Sequence, residues 1–318
     1  MSAPRSDDRG LRNPSAERLP GRRALYRGRR RGVAVAGLAA VAALALVLGF
    51  ALASAGSHPH HRGPGAPRGA GRTPLARRRP SASRTRAALV AAELATNRRI
   101  LSYTSYIAQG VPRVRAVALT FDDGPGPYTA PILATLERLH VKATFFEIGR
   151  EVRTYPALTA RLARAGMVIG DHTETHPPMA RLSRADQAIE LDEAAHAIEA
   201  AGAPQPLLFR PPYGSFDSTT LGLTRARAMV MVLWTVDTSD YARPGVGRIV
   251  YTAISGARPG AILLFHDGGG DRSQTVAALP RIVARLRQRG YRIVTVPELL
   301  REDPPPAGQP PPVSLSGD

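Results

Sequence analysis

The sequence predicts an α/β fold, an incomplete, distorted (β/α) barrel of about seven parallel strands. Between residues 112 and 301, short apolar runs rich in β-branched residues alternate with longer helical patterns, as in successive βα units around a mostly parallel sheet. A complete eightfold barrel typically needs about 250 residues, so this segment is too short for one. Polar clusters follow five of the apolar runs, and in such folds the active site lies at the carboxyl ends of the strands.

Each strand is predicted from a short apolar run, and each helix from a longer stretch of helical pattern. The predicted strands are 116–121, 143–148, 167–169, 207–209, 229–234, 261–265 and 292–294. The predicted helices are 128–139, 157–165, 184–200, 246–255 and 274–288.

Residues 33–55 form an uncharged, mainly Ala, Val, Leu and Gly run, long enough to cross a bilayer core of about 30 Å as a helix. Arginines are concentrated just before it, so the positive-inside rule predicts a cytoplasmic N-terminus and an extracellular remainder. We therefore expect a single-pass protein of the cell membrane. A cleaved signal peptide is the alternative, because Ala53-Ser54-Ala55 resembles a cleavage site, and cleavage near Ala55 would give a secreted protein.

Composition divides the rest of the chain into tails, a linker, a helical segment and a main domain. Residues 1–32 are predicted as a basic cytoplasmic tail, 56–86 as a disordered linker, 87–111 as an N-terminal helical segment, 112–301 as the main domain, and 302–318 as a Pro-rich disordered tail. Most of the net charge of +18 lies before the main domain, so it does not indicate a basic nucleic-acid-binding module. The chain contains no cysteine, which excludes a disulfide scaffold and a Cys-ligated metal site.

Two clusters contain residue types suited to a metal site. Asp122 and Asp123 follow an apolar strand; adjacent side chains on an extended chain point to different sides, so one could bind a metal while the other handles protons. The same residues also suit an ordinary turn. His172 and His176 lie at i and i+4, so on a helical turn both side chains are expected on one face. This is the spacing that two imidazole ligands of one metal need. Capping or surface histidines are the alternative there.

Three further clusters, at 209–214, 234–241 and 263–270, also follow predicted strands. His266 ends a fully apolar strand and is a candidate general acid, with a neighbouring carboxylate such as Asp237 orienting its imidazole. For Asp240 we favour a capping or salt-bridging role.

In order and spacing, the five clusters resemble the five motifs of the polysaccharide deacetylases of carbohydrate esterase family four, over about residues 112–300. The resemblance implies a bacterial membrane-anchored hydrolase that removes N-acetyl groups from a polysaccharide containing N-acetylglucosamine. Two positions depart from the usual pattern. Asp171 stands where asparagine is common, and Tyr241 replaces a tryptophan.

The resemblance also implies roles for individual residues. Asp122 would be the general base, Arg210 would fix that base, His266 would be the general acid, and Asp237 would tune the acid. The implied ligands of zinc, or of cobalt or another divalent metal, are Asp123, His172 and His176. The implied substrate-binding residues are Tyr213 through its backbone amide, Leu264 and Trp234 around the acetyl methyl, and Tyr241 on the sugar-facing wall.

Several glycans fit as the substrate. Peptidoglycan is favoured because a membrane anchor and a basic linker suit a target in the cell envelope, whereas chitin oligomers fit the same chemistry. Two other functions are considered: an O-acetyl esterase acting on xylan or another wall polysaccharide, and a catalytically silent, anchored glycan-binding protein. We expect an active monomeric enzyme with no nucleic-acid partner.

Overall fold

The structure is a computed structural model that describes residues 82–308. Its strands are β1 Tyr106–Ile107, β2 Ala116–Gly124, β3 Thr144–Glu147, β4 Val168–Asp171, β5 Leu208–Phe209, β6 Val230–Val232, β7 Val236–Asp237, β8 Ala261–His266 and β9 Arg292–Val294. Within the described residues these nine strands pair in parallel, in the order β1-β6-β5-β4-β3-β2-β8-β7, with β9 pairing to β2. The sheet curls into part of a barrel.

Helices follow most of the strands, as βα units require. They are α1 Ala82–Leu101, α2 Thr129–Arg138, α3 Gly149–Thr154, α4 Pro156–Arg164, α5 Arg184–Ala200, α6 Ser218–Ala226, α7 Val246–Gly256, α8 Ser273–Gln288 and α9 Val296–Glu302.

Strand β2 organises the core because both of its faces are buried. Val117, Leu119 and Phe121 pack with residues of the surrounding helices, and Phe121 stacks between Phe145 and Phe265 at ring-centroid distances of 5.0 and 5.6 Å. The alternate residues, including Ala118, face the inner apolar cluster with residues of β3, β6 and β8. Period-two alternation along β2 therefore separates the inner from the outer layer, and its carboxyl end opens at the site described below.

The predicted fold class is confirmed, and each of the seven predicted strands has a counterpart. Strands β1 and β7 and helices α3, α6 and α9 were not predicted. Strands β1 and β7 have only two residues each and depend on pairing with β6 and β8, which a local sequence pattern does not reveal. The helical segment predicted at 87–111 differs too: α1 begins at Ala82 and ends at Leu101, before β1.

The predicted cytoplasmic tail, the membrane span and most of the linker lie outside the described residues, as does the end of the Pro-rich tail. No helix within residues 82–308 combines the length and apolar character needed to cross a bilayer.

Candidate active site

A cleft of about 360 Å³ opens at the carboxyl ends of β2, β4 and β8. Residues from all five sequence clusters line it. The lining residues are Asp122, Asp123, His172, His176, Tyr213, Trp234, Tyr241, Leu264, His266 and Gly269. The predicted residues Arg210 and Asp237 are absent from this lining: Arg210 lies behind Asp122, and Asp237 makes a contact described below.

Asp122 and Asp123 both face the cleft, although a regular strand would send them to opposite sides. The pairing of β2 with β3 shifts register between Asp122 and Gly124, and Asp123 has a left-handed backbone with φ of 72°. This irregularity turns the second carboxylate toward the first. The prediction of opposite directions is therefore wrong, but the two carboxylates still have different partners.

The two histidines follow β4 in a loop, so the predicted helical turn is wrong as well. Thr173 and His176 have left-handed backbones, with φ of 68° and 64°. The hydroxyl of Thr173 accepts a hydrogen bond from the backbone N–H of His176 at 3.0 Å, and the backbone N–H of Thr173 donates to Asp171 Oδ1 at 2.7 Å. These bonds hold the loop in a shape that a helix would not give.

Three side chains in the cleft could hold a metal ion. His172 Nε2 and His176 Nε2 lie 3.5 and 3.1 Å from Asp123 Oδ1, and one ligand atom from each residue lies within 4.8 Å of the others. His172 Nδ1 contacts the Arg210 carbonyl oxygen at 2.7 Å, and His176 Nδ1 contacts the Tyr213 hydroxyl at 3.1 Å. With each Nδ1 engaged, both Nε2 atoms are directed at one point, as metal-binding histidines require.

Charge also favours a cation there. Burial acts to raise the pKa of Asp123, but hydrogen bonds with His172 and His176 and the nearby charge of His266 hold it well below its ordinary value. The ligand carboxylate is therefore anionic at neutral pH.

Arg210 is fully buried and holds Asp122. Its Nη1 donates to Asp122 Oδ1 at 2.7 Å and to the hydroxyl of Thr120 at 2.8 Å. Its remaining donors bind the carbonyl oxygens of Val232 and Leu233, and the guanidinium lies 4.2 Å from the centroid of a phenylalanine ring. Burial lowers the pKa of Arg210, and the charge of Asp122 partly opposes that shift. One oxygen of Asp122 is thus fixed by a buried cation while Oδ2 lies toward His172 Nε2, at 3.8 Å.

The carboxylate that orients His266 is Asp240, which corrects the prediction of Asp237. His266 Nδ1 lies 2.7 Å from Asp240 Oδ1, and the His266 backbone N–H donates to Asp240 Oδ2 at 2.9 Å. The hydroxyl of Thr275 also donates to Asp240, at 2.6 Å. Asp237 instead accepts a hydrogen bond from the backbone N–H of Ser239 at 2.7 Å. A left-handed Ser239 and a 3₁₀ turn after β7 bring Asp240 under the imidazole.

Charge keeps the imidazole of His266 protonated. Burial alone lowers the pKa of His266, but the Asp240 carboxylate and the two cleft aspartates outweigh burial and raise it from 6.5 to about 9. Since Nδ1 is bound to Asp240, the nitrogen left for the cleft is Nε2. His266 can therefore carry a proton into the cleft at neutral pH.

Two further acidic residues near the site are buried and behave differently from the cleft aspartates. Burial raises the pKa of Asp171 well above its ordinary value, although one oxygen accepts a hydrogen bond from the backbone of Thr173. Burial likewise raises the pKa of Asp267 to about 7, and its carboxyl accepts a hydrogen bond from Thr129. The Asp171 oxygen that accepts from Thr173 is an acceptor that asparagine would also offer, so this hydrogen bond of the loop does not depend on which of the two residues is present.

Aromatic and apolar side chains form the rest of the cleft. Trp234 and Leu264 belong to a small buried cluster with Leu233 at the base of the cleft. Tyr213 and Tyr241 stand at its mouth and are 41% and 40% exposed, enough to contact a large ligand. The Tyr241 ring meets the His266 ring edge-on at 5.2 Å.

Sequence reasoning missed Gly269, which lines this cleft, and Arg272, which donates a hydrogen bond to the carbonyl oxygen of Gly269. Gly269 has φ of 71°, and a Cβ there would lie 2.7 Å from Asp123 Oδ2, so the position requires glycine. Three consecutive glycines after His266 were the available signal. Arg272 carried no sequence signal, because its partners are backbone carbonyl oxygens.

Comparison with known proteins identifies the family. The polysaccharide deacetylase family matches residues 109–232. A peptidoglycan-N-acetylglucosamine deacetylase of Bacillus cereus is 40% identical over 210 residues, which cover 64% of this chain and 97% of the relative. A chitooligosaccharide deacetylase of a Bradyrhizobium species is 40% identical over 203 residues, covering 59% of this chain and 92% of the relative.

A crystal structure agrees with the sequence relatives. It is that of a peptidoglycan N-acetylglucosamine deacetylase in complex with 4-naphthalen-1-yl-N-oxidanyl-benzamide, with a TM-score of 0.61 and 31% identity, covering 64% of this chain and 96% of the other. Fold, cleft and relatives agree, and the chain belongs to the polysaccharide deacetylase family of hydrolases, which act on N-acetyl amide bonds.

Proposed function

We propose that this protein is a metal-dependent N-deacetylase that removes acetyl groups from peptidoglycan outside the cell. The observation that carries the proposal is the register of β2 and β8. Asp122 lies directly opposite His266 in the paired strands, and the three candidate metal ligands lie beside Asp122 in the same cleft. A base, an acid and a metal site facing one cleft are the parts that amide hydrolysis needs.

The residues fit a zinc ion. Two imidazoles and one carboxylate are a recurring ligand set of catalytic zinc, and three protein ligands leave a position for water or substrate. Asp123, His172 and His176 would hold the ion. When bound, it would polarise the acetyl carbonyl and lower the pKa of a water molecule.

Asp122 is placed to take the proton of the attacking water. Arg210 holds Oδ1 of Asp122, which leaves Oδ2 on the side of the metal ligands as the proton acceptor. The buried guanidinium also prevents the carboxylate from rotating away. Asp122 thus acts as a general base in a fixed orientation.

His266 is placed to protonate the leaving amine. An amide anion is a very poor leaving group, so the C–N bond breaks only as the nitrogen gains a proton, which His266 supplies from Nε2. The proton that Asp122 removes from water balances the proton that His266 gives up. The products are acetate and a glucosamine unit, and proton transfer between the two residues restores the starting state.

The remaining cleft residues suit the substrate. Trp234 and Leu264 form an apolar surface for the acetyl methyl, and the backbone N–H of Tyr213 would stabilise the oxyanion, a contribution of typically about 3–4 kcal/mol for one donor. Tyr213 and Tyr241 would contact the flanking sugars. Peptidoglycan is proposed on two grounds: the expected membrane anchor at residues 33–55 would keep the enzyme at the envelope, and one relative described above is a peptidoglycan deacetylase.

Acetate release tests the proposal. The full-length protein would be incubated with purified peptidoglycan, chitotetraose and O-acetylated xylan, beside an Asp122→Asn variant. We expect release from the N-acetylated glycans, fastest from peptidoglycan, and loss of release in the variant. Release from xylan alone would instead make the protein an O-acetyl esterase. Glycan binding without any release would make it a silent binding protein.

A further inference from the structure

Arg272 is a buried arginine whose bonds go to backbone oxygens. It is 4% exposed. Its Nε donates to the carbonyl oxygen of Gly268 at 2.7 Å and its Nη2 to that of Gly269 at 3.0 Å. Its Nη1 lies 3.3 Å from the carbonyl oxygen of Tyr241 and 3.2 Å from that of Asp271. In the part of the chain that the structure describes, no carboxylate forms an ion pair with this guanidinium.

Helix formation does not explain an arginine at this position. Arg272 precedes the first residue of α8, where a side chain that accepts hydrogen bonds is favoured, and it makes no side-chain cap. A positive charge at a helix N-terminus also opposes the helix dipole. The acceptor is supplied by Asp271, whose Oδ1 binds the backbone N–H of Ser273 at 2.9 Å. The hydrogen bonds of Arg272 to backbone carbonyl oxygens, and not capping of α8, therefore account for a buried cation at this position.

Those contacts join the two sides of the cleft mouth. On one side, Gly269 lines the cleft next to Asp123. On the other side, Tyr241 contributes an exposed ring that packs edge-on against His266. The planar guanidinium donates in several directions at once, so it can hold both segments in a fixed relation, which a lysine ammonium would do less completely.

We propose that Arg272 is a positioning residue that sets the sugar-facing wall, holding Tyr241 at a fixed distance from the turn formed by residues 268–271. The inference rests on the proposed function, because it requires a glycan in the cleft. Arg272 itself does not face the substrate. Its effect should therefore appear in glycan binding, and it should depend on the Tyr241 ring.

The test is glycan affinity measured without turnover. Trp234 is the only tryptophan of the chain and lines the cleft, so its fluorescence reports binding. All proteins used for binding carry Asp122→Asn, which prevents acetate release, and serve as the parent and variants of this titration. We would titrate the full-length parent and its Arg272→Met variant with chitotetraose. We expect about tenfold weaker binding of chitotetraose in the variant, equivalent to about 1.4 kcal/mol. Zinc affinity should stay within about twofold of the parent, because the metal ligands are untouched.

A matched control and a conservative variant separate positioning from folding. Arg281 lies on the same helix and is exposed, so Arg281→Met should bind like the parent. Arg272→Lys should recover part of the affinity, and it replaces Arg272→Met if that variant does not fold. In a Tyr241→Ala background, loss of Arg272 should cost no further affinity.

Unchanged chitotetraose affinity in the folded variant would overturn the inference. So would an equal further loss in the Tyr241→Ala background, or a parallel loss of zinc. Failure of the proposed function looks different: glycans would bind, but the protein with Asp122 intact would release no acetate.

Discussion

Replacing Asp240 with asparagine should move the alkaline limb of the pH–rate profile to lower pH. His266 must be protonated to act as the general acid, and the charge of Asp240 is the largest contribution that raises the pKa of His266, against the effect of burial. Asparagine keeps the shape and can still accept the Nδ1 hydrogen bond, but it carries no charge. The protonated imidazole then loses its closest stabilising partner.

The magnitude follows from the geometry. Asp240 is almost fully buried, and its Oδ1 lies 2.7 Å from His266 Nδ1. An opposite charge at such a distance typically shifts a pKa by about 1–3 units. We expect the limb to move by about 2 units, which corresponds to about 2.7 kcal/mol of lost interaction with the imidazolium. Activity falls above the pKa of a general acid, so the variant should lose rate first at alkaline pH.

The assay is acetate release from chitotetraose, with kcat measured from pH 5 to 10 at saturating metal. Asp237→Asn is the matched control, because Asp237 contacts a backbone N–H and not His266. Its alkaline limb should coincide with that of the parent. A limb that moved with Asp237→Asn and stayed in place with Asp240→Asn would refute the assignment of Asp240.

Three further predictions concern stability, the base and topology. Glu147 is fully buried, and burial raises its pKa to about 8, so the folded protein loses stability as pH rises from about 5 to 8 and the unfolded chain ionises first. Glu147→Gln removes this loss, so its gain in unfolding free energy over the parent should grow from little near pH 5 to about 3–5 kcal/mol near pH 8, measured by urea unfolding. Arg210→Lys should lower kcat by about 10-fold to 100-fold, because one ammonium cannot replace the guanidinium that fixes Asp122. The variant should retain its bound metal, and measurement of kcat and of metal content on the same preparation checks both expectations. The full-length protein should remain with membranes through washes in about 1 M salt, which screens surface charge but leaves a buried span in place; a soluble species beginning near Gly56 would show cleavage instead.

The sequence predicted the fold because each strong apolar run coincides with a strand of the sheet. Strand β2 is buried on both faces, so only Thr120 interrupts its apolar run, and the end of that run before Asp122 is clear. Strand β7 has two residues and is defined by its pairing with β8, so no local pattern marked it. That omission is also why Asp237 was preferred to Asp240: without the strand end and the turn after it, the direction of each carboxylate was unknown.

The candidate site was predictable in composition and less so in geometry. The order and spacing of the five clusters identified the side chains that meet in the cleft. Left-handed residues determine how they meet: Asp123 turns at a register shift, and His176 turns in a loop where a helix was expected. For residues other than glycine, such conformations depend on tertiary contacts, and sequence spacing does not show them. The backbone contacts of Arg272 escaped prediction for the same reason.

Metal content and turnover, measured on the same full-length preparations, test the assigned base and ligands most directly. The parent should hold about one zinc per chain, lose acetate release in chelator and recover it with zinc. His172→Ala should lose both metal and rate, whereas Asp122→Asn should keep the metal and lose about 100-fold or more in kcat. Full turnover by metal-free parent protein, or near-parental rates in Asp122→Asn, would contradict these assignments.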